Sequence, residues 1–265
     1  MTTAPRRTQS VHRRRSRPGA RVVVGLGLAS LAVASGLLLA TSPAAADVQG
    51  PAPAAALALP AAPAAPATPL AARAAAARPV LRMGSRGQEV VDLQRWLSGL
   101  HYDVGPADGN FGSQTFHGVV AFQKVNGLGR DGIVGAQTWA RLGRPSIPRP
   151  RFSHSGTWVE VNLSTQVLYL FRGGGVVRIV DASSGTASTP TPTGNFSVIR
   201  RIDGWRQSSL GLLWRPNYFF QGYAIHGSTS VPNYPASHGC VRVTIEAMNR
   251  LWTVLGIGMP VHVYR

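Results

Sequence analysis

Val90, Leu93, Leu97 and Leu100 recur at three- and four-residue spacing, which marks one apolar face of an α-helix. Phe116, Val119, Val120 and Gln123 repeat that spacing and predict a second helix. The stretch 108–116 recurs as 131–139, offset by 23 residues, with the shared pattern D-G-x-apolar-G-x-Q-T-aromatic. In each copy Asp-Gly marks a turn, and a helix is expected after the second glycine. At about residue 157 the period drops to two. Val159, Val161 and Leu163 alternate with Glu160 and Asn162, as in a half-buried strand. Residues 166–171 and 176–180 flank Gly173, Gly174 and Gly175, a hairpin turn. Phe196 with Val198, residues 223–226 and residues 261–264 read as further strands. One helix is expected here, capped by Thr244, apolar at Met248, Leu251, Trp252 and Leu255, and ended by Gly256. The expected fold is therefore multidomain: a small three-helix domain over 80–142, then a mostly-β domain with one packed helix over 157–265. The proline-bearing stretch 143–156 reads as a linker between two folded parts; since every candidate catalytic residue lies after 225, a chain of 157–265 is expected to keep its chemistry on small soluble substrates yet bind insoluble wall material more weakly.

What precedes these domains reads differently. Seven arginines before residue 22 lead into an apolar stretch, 22–40, followed by Ala44, Ala45 and Ala46. Residues 1–46 thus read as an export signal, with an uncleaved membrane anchor as the alternative. Residues 47–79 are nearly all alanine and proline, lack a periodic apolar face, and read as a linker. Of the formal charge of +17, +10 remains after residue 46, scattered along the chain. No zinc-finger spacing or RNA-binding aromatic motif accompanies it, so nucleic acid is not an expected partner; a polyanionic wall suits the charge as well.

The candidate chemistry lies between residues 226 and 242. Cys240 is the only cysteine, so in an exported chain it stands out as a reactive thiol rather than half of an internal disulfide. It sits in Ser237-His238-Gly239-Cys240-Val241-Arg242, downstream of His226-Gly227. A free thiol near pKa 8.5 is only a few per cent ionised at neutral pH, and an imidazole can take its proton and leave the nucleophile charged. Both His226 and His238 can reach. Were 238–240 extended, His238 and Cys240 would share a face about 7 Å apart, long for direct proton transfer. His226 could approach from a neighbouring strand. Flanking glycines allow close backbone approach and could leave amides free for an oxyanion, while Arg242 offers a fixed cation for a carboxylate. A zinc site from His226, His238 and Cys240 lacks a carboxylate partner nearby in sequence, so neither metal nor cofactor is expected.

Two resemblances follow from these motifs. Leu97, Gly109, Phe111-Gly112, Thr115, Phe122-Gln123, Leu128 and Asp131-Gly132-Ile133-Val134-Gly135 resemble the peptidoglycan-binding domain found on many wall hydrolases. That resemblance covers 82–142 and implies binding without catalysis. The segment from His226 to Arg242 resembles the signature of the L,D-transpeptidase (YkuD-like) catalytic domain, and Thr191-Pro192-Thr193-Gly194-Asn195-Phe196, preceded by Ser183-Ser184-Gly185, resembles its upstream turn. It implies that Cys240 attacks the bond before a terminal D-alanine of a wall stem peptide and passes the thioester to the amine of a second stem. His226 is then the general base, oriented by the Gly227 backbone. His238 and Gly239, with Ser237 and Arg242, belong to the substrate-facing or oxyanion shell. Peptidoglycan is the implied partner. The alternatives are an L,D-carboxypeptidase or other wall hydrolase using the same cysteine, and a catalytically silent wall-binding protein. Papain-like enzymes place cysteine before histidine, and sortases lack S-H-G-C and need a longer gap.

Overall fold

A computed structural model describes residues 78–265. The arginine-rich leader, its apolar stretch and all but the last two residues of the alanine–proline stretch lie outside these residues. No helix among the described residues is long and apolar enough to cross a membrane.

The first domain contains α1 (Gln88–Gly99), α2 (Ser113–Val125) and α3 (Ala136–Leu142). Both helices that follow the repeated motif begin directly after its second glycine. The repeat also has a cause that periodicity did not reveal. The Gln94 amide donates to Asp108 Oδ1 (2.9 Å), Asn110 O (3.1 Å) and Thr115 Oγ1 (2.9 Å), and its oxygen accepts from Gly109 N (3.0 Å). Gln123 does the same in the second copy, with Asp131 Oδ1 (2.7 Å), Ile133 O (3.0 Å), Thr138 Oγ1 (3.4 Å) and Gly132 N (2.9 Å). Each turn thus closes on a buried glutamine whose donors and acceptor are all satisfied, which offsets the cost of burying it.

The second domain holds two sheets. In the first, β3 (Gly175–Asp181), β2 (Val167–Arg172), β1 (Thr157–Asn162), β10 (Pro260–Tyr264) and β4 (Gly194–Ser197) lie side by side in that order. In the second, the order is β5 (Arg200–Arg201), β7 (Gly211–Phe220), β8 (Tyr223–Ser228), β9 (Val241–Thr244), with β6 (Trp205–Ser208) paired to β7. The pairs β1–β10 and β8–β9 are parallel and the others antiparallel. Helix α4 (Ile245–Trp252) packs against β7, β8 and β9, and Thr244 Oγ1 accepts from Ala247 N at its start as expected. It stops at Thr253, so Gly256 lies beyond its end rather than terminating it.

β2 explains how the parts are joined. Its Leu168 and Leu170 enter the core between the sheets, whereas Val167, Tyr169 and Phe171 enter a core shared with the helical domain. Leu93, Leu97, Tyr102, Phe122, Trp139, Trp158, Phe171 and Ile179 belong to that one shared cluster. His101 and Asp103 also pair with the edge of β3, through Ile179 N to His101 O (2.8 Å) and Asp103 N to Ile179 O (3.0 Å). The two parts thus share a common core and one extended hydrogen-bonded edge. β1 is covered from the same side of the chain. Glu160 is fully buried rather than facing solvent, and its carboxylate accepts from Arg151 N, Phe152 N and Trp158 Nε1 at 3.0–3.1 Å. Part of the 143–156 stretch thus covers the face that alternation had assigned to water.

Candidate active site

Parallel pairing of β8 with β9 aligns Ile225 with Val241 and His226 with Arg242. Ile225, Val241 and Val243 are fully buried in the inter-sheet core, and alternation turns His226 and Arg242 to the opposite side. There they line a cavity of about 510 Å³ together with Ser237, His238 and Cys240. Five of the seven residues singled out from sequence are thus brought together, and Gly227 and Gly239 do not line the cavity. Sequence reasoning missed Tyr218, Arg200, Arg206, residues 208–213, Gly222 and residues 228–230, which also line the cavity. Most of them come from β5, β6, β7 and the β6–β7 turn. Pro216 interrupts the β7 run, and the register with β8 shifts between Trp214 and Asn217, so no alternation survives to be read.

The peptide around the nucleophile is not extended. Gly239 has φ +108°, in the left-handed region, and a Cβ there would meet the Tyr223 ring at 2.4 Å. The same-face geometry considered for His238 and Cys240 therefore does not exist; His238 is exposed while the thiol is half-buried. Ser237 closes this turn: its hydroxyl accepts from Gly239 N (3.0 Å) and donates to Cys240 O (2.5 Å). The Gly239 amide is consequently occupied and not free for an oxyanion. Thr191, read only as part of a motif, donates its hydroxyl to Gly239 O (2.8 Å) and accepts from Gly185 N (2.9 Å). Gly227 serves packing, since a Cβ would meet Trp214 Cδ1 at 2.9 Å.

His226 is buried, and its Nδ1 lies 2.9 Å from Gly227 O. A carbonyl can only accept, so Nδ1 carries the hydrogen and Nε2 keeps its lone pair. Burial lowers the imidazole from 6.5 to about 4; the Gly227 bond opposes this, and Arg242 adds to it. Burial also raises the Cys240 thiol, opposed by the Ala224 backbone and the Arg242 cation. Burial thus biases both groups toward their neutral forms, lowering the imidazole and raising the thiol. Stability should carry this signature. The unfolded chain binds the His226 proton near pH 6.5 and the folded chain only near 4. Stability from this group is complete above pH 6.5 and is lost as pH falls toward 4, by up to roughly 3 kcal/mol. Urea unfolding at pH 7 and 4.5 checks it: His226→Gln should flatten the difference, and an equal difference in both proteins would exclude His226 as its source.

Among the described residues, no cluster of His, Cys, Asp and Glu is arranged to hold a metal ion.

Comparison with known proteins now adds to this geometry. Residues 156–263 match the YkuD L,D-transpeptidase catalytic domain, and residues 86–142 match a peptidoglycan-binding domain. The crystal structure of an L,D-transpeptidase from Xylanimonas cellulosilytica is 46% identical, covering 71% of this chain and 98% of that one, with a TM-score of 0.68. A spore cortex-lytic enzyme of Oceanobacillus iheyensis is 26% identical over 180 residues, 66% of this chain and 59% of that protein. An uncharacterized protein of Kitasatospora aureofaciens is 42% identical over 67 residues, 25% of this chain and 57% of that protein. The chain thus spans less than two thirds of the length of these two curated relatives. With a helical domain of the peptidoglycan-binding type placed ahead of a thiol-bearing β domain, the chain belongs to the L,D-transpeptidase family.

Proposed function

We infer that the protein is an exported L,D-transpeptidase that cross-links peptidoglycan stem peptides through a thioester on Cys240. The observation that carries this reading is the cavity shared by the Cys240 thiol and a neutral His226 whose tautomer is fixed by Gly227 O. Because both groups rest uncharged, the proton leaves sulfur during attack rather than before it. The thiol sulfur bonds to the carbonyl carbon preceding a terminal D-alanine as Nε2 of His226 takes its proton. The oxyanion is met by the Cys240 amide, which Ser237 does not engage as it engages that of Gly239. Collapse breaks the C–N bond, and His226 returns the proton to the departing D-alanine amine. The amine of a second stem then attacks the thioester, gives its proton to His226 and expels the thiolate, which recovers that proton. Arg242 offers a cation to a substrate carboxylate, and exposed His238 serves the pocket rather than the base. No cofactor takes part in these steps. The helical domain holds the wall, and peptidoglycan places the chain outside the cytoplasmic membrane, with membrane contact only through an uncleaved leader.

Water can replace the second amine, and the cortex-lytic relative favours that reading as the alternative. Mass analysis of stem-peptide products separates them. A donor–acceptor conjugate lacking one D-alanine supports cross-linking, and only the shortened donor acid supports hydrolysis. Unchanged peptides would remove both.

A further inference from the structure

Lys124 is the only lysine in the chain, and its side chain is fully buried. It stands on α2 of the helical domain, yet its ammonium gives all three hydrogen bonds to the β domain. The acceptors are Asp181 Oδ1 (2.5 Å), Ala182 O (3.0 Å) and Gln166 O (3.1 Å). His117, also on α2, binds the other Asp181 oxygen at 2.7 Å. These acceptors lie at the end of β3 and the start of β2, where the chain turns into Ser183-Ser184-Gly185.

From there the bonds continue to the nucleophile without a gap. Gln166 Oε1 accepts from Ser184 N (2.7 Å), and Gln166 Nε2 donates to Ser184 Oγ (2.7 Å). Ser184 O accepts from Ala236 N and Ser237 N, both at 2.9 Å. Ser183 N donates to Arg242 O (3.0 Å), and Arg242 N donates to Ser183 O (2.9 Å). Ser237 then holds Cys240 O and Gly239 N. On the far side of the loop Arg130 O accepts from Asn233 Nδ2 (2.5 Å), so the helical domain grips the nucleophile loop at its start as well.

We propose that Lys124 is a positioning residue for acyl transfer: the helical domain holds the 182–185 segment through it, and that segment sets the turn carrying Cys240. The proposal rests on Cys240 being the acyl-transfer nucleophile. A bonded chain of buried polar groups acts as a unit, and misplacing a reacting atom by about 1 Å can cost around a hundredfold in rate.

The test uses the full chain with Lys124→Met and Asp181→Asn combined, so that no unpaired carboxylate is left buried. Turnover is read with a soluble stem tetrapeptide and an amine acceptor below the melting temperature. Amide hydrogen exchange is read at Ser237, Gly239 and Arg242, with Val261 in β10 as the distant control. The expected result is a kcat at least tenfold lower with KM within about threefold, and exchange at least tenfold faster at these three amides around the nucleophile but unchanged at Val261. A purely structural role would lower the melting temperature without that pattern. Unchanged loop exchange in the folded variant overturns the proposal. If the wild-type protein transfers no acyl group, the functional reading falls, and exchange at the loop still decides whether Lys124 positions it. Should the double variant not fold, Gln166→Met removes both side-chain bonds to Ser184, one step closer to the loop, and is read in the same way.

Discussion

Replacing Cys240 by serine is expected to leave less than about 1% of acyl transfer while the fold survives. The electrostatics sharpen this expectation. His226 is held neutral with a depressed basicity, so it is a weak base for a hydroxyl, whose proton is far harder to remove than that of a thiol. On the proposed mechanism the thiol reaches its transition state because sulfur is intrinsically nucleophilic, whereas an alcohol in the same place would need a stronger base than the site holds. Structurally the exchange is mild. The thiol's hydrogen bonding is weak, with Gly222 O at 3.9 Å, and there is no disulfide to lose. Turnover and thermal melting measured on the same preparation check both halves. Serine turnover above about 1% with an unchanged melting curve would sink the nucleophile assignment.

A chain cut to residues 157–265 is expected not to fold cooperatively. The cut strips the helical cover from Val167, Tyr169, Phe171, Val176 and Ile179, all now buried. At about 1.5–3 kcal/mol for each large apolar side chain returned to water, the loss is comparable to the whole stability of an ordinary domain, about 5–15 kcal/mol. Asp181 would lose Lys124 and His117 together, and the edge of β3 would lose the pairing with residues 101–103. Circular dichroism melting and turnover on a soluble stem peptide read the outcome. A sharp melting transition with full-chain turnover would show that the shared core is dispensable.

The contrast with the sequence reading is instructive at this junction. Helical spacing and strand alternation reveal which residues of one element are apolar, and they located α1, α2, α4, β1 to β4, β8 and β10. They cannot reveal against which neighbour a face packs. β2 reads as apolar on both sides, which was legible, but one side belongs to the other domain, which was not. Glu160 breaks the apolar pattern of β1 and looks exposed until the returning 151–152 backbone supplies its donors. At the site, the motif positions of Cys240, His226 and Arg242 were legible because chemistry limits which residue types can serve there. The roles of Ser237, Gly239 and Thr191 were not, because a bond such as Thr191 Oγ1 to Gly239 O spans 48 residues and leaves no local trace.

The burial of the sole lysine has a chemical consequence for an enzyme of this kind. A thioester waiting for an amine will react with any unprotonated amine that reaches it, including those of its own surface. Arginine guanidinium does not compete, because it stays protonated well above the pH of any working enzyme and so has no free lone pair to attack with. Apart from Lys124 the permanently cationic side chains are arginines, and the lysine nitrogen is spent on three acceptors inside the protein. The charge that suits a polyanionic wall is therefore carried by side chains that cannot intercept the acyl group, and self-acylation through lysine has no accessible partner.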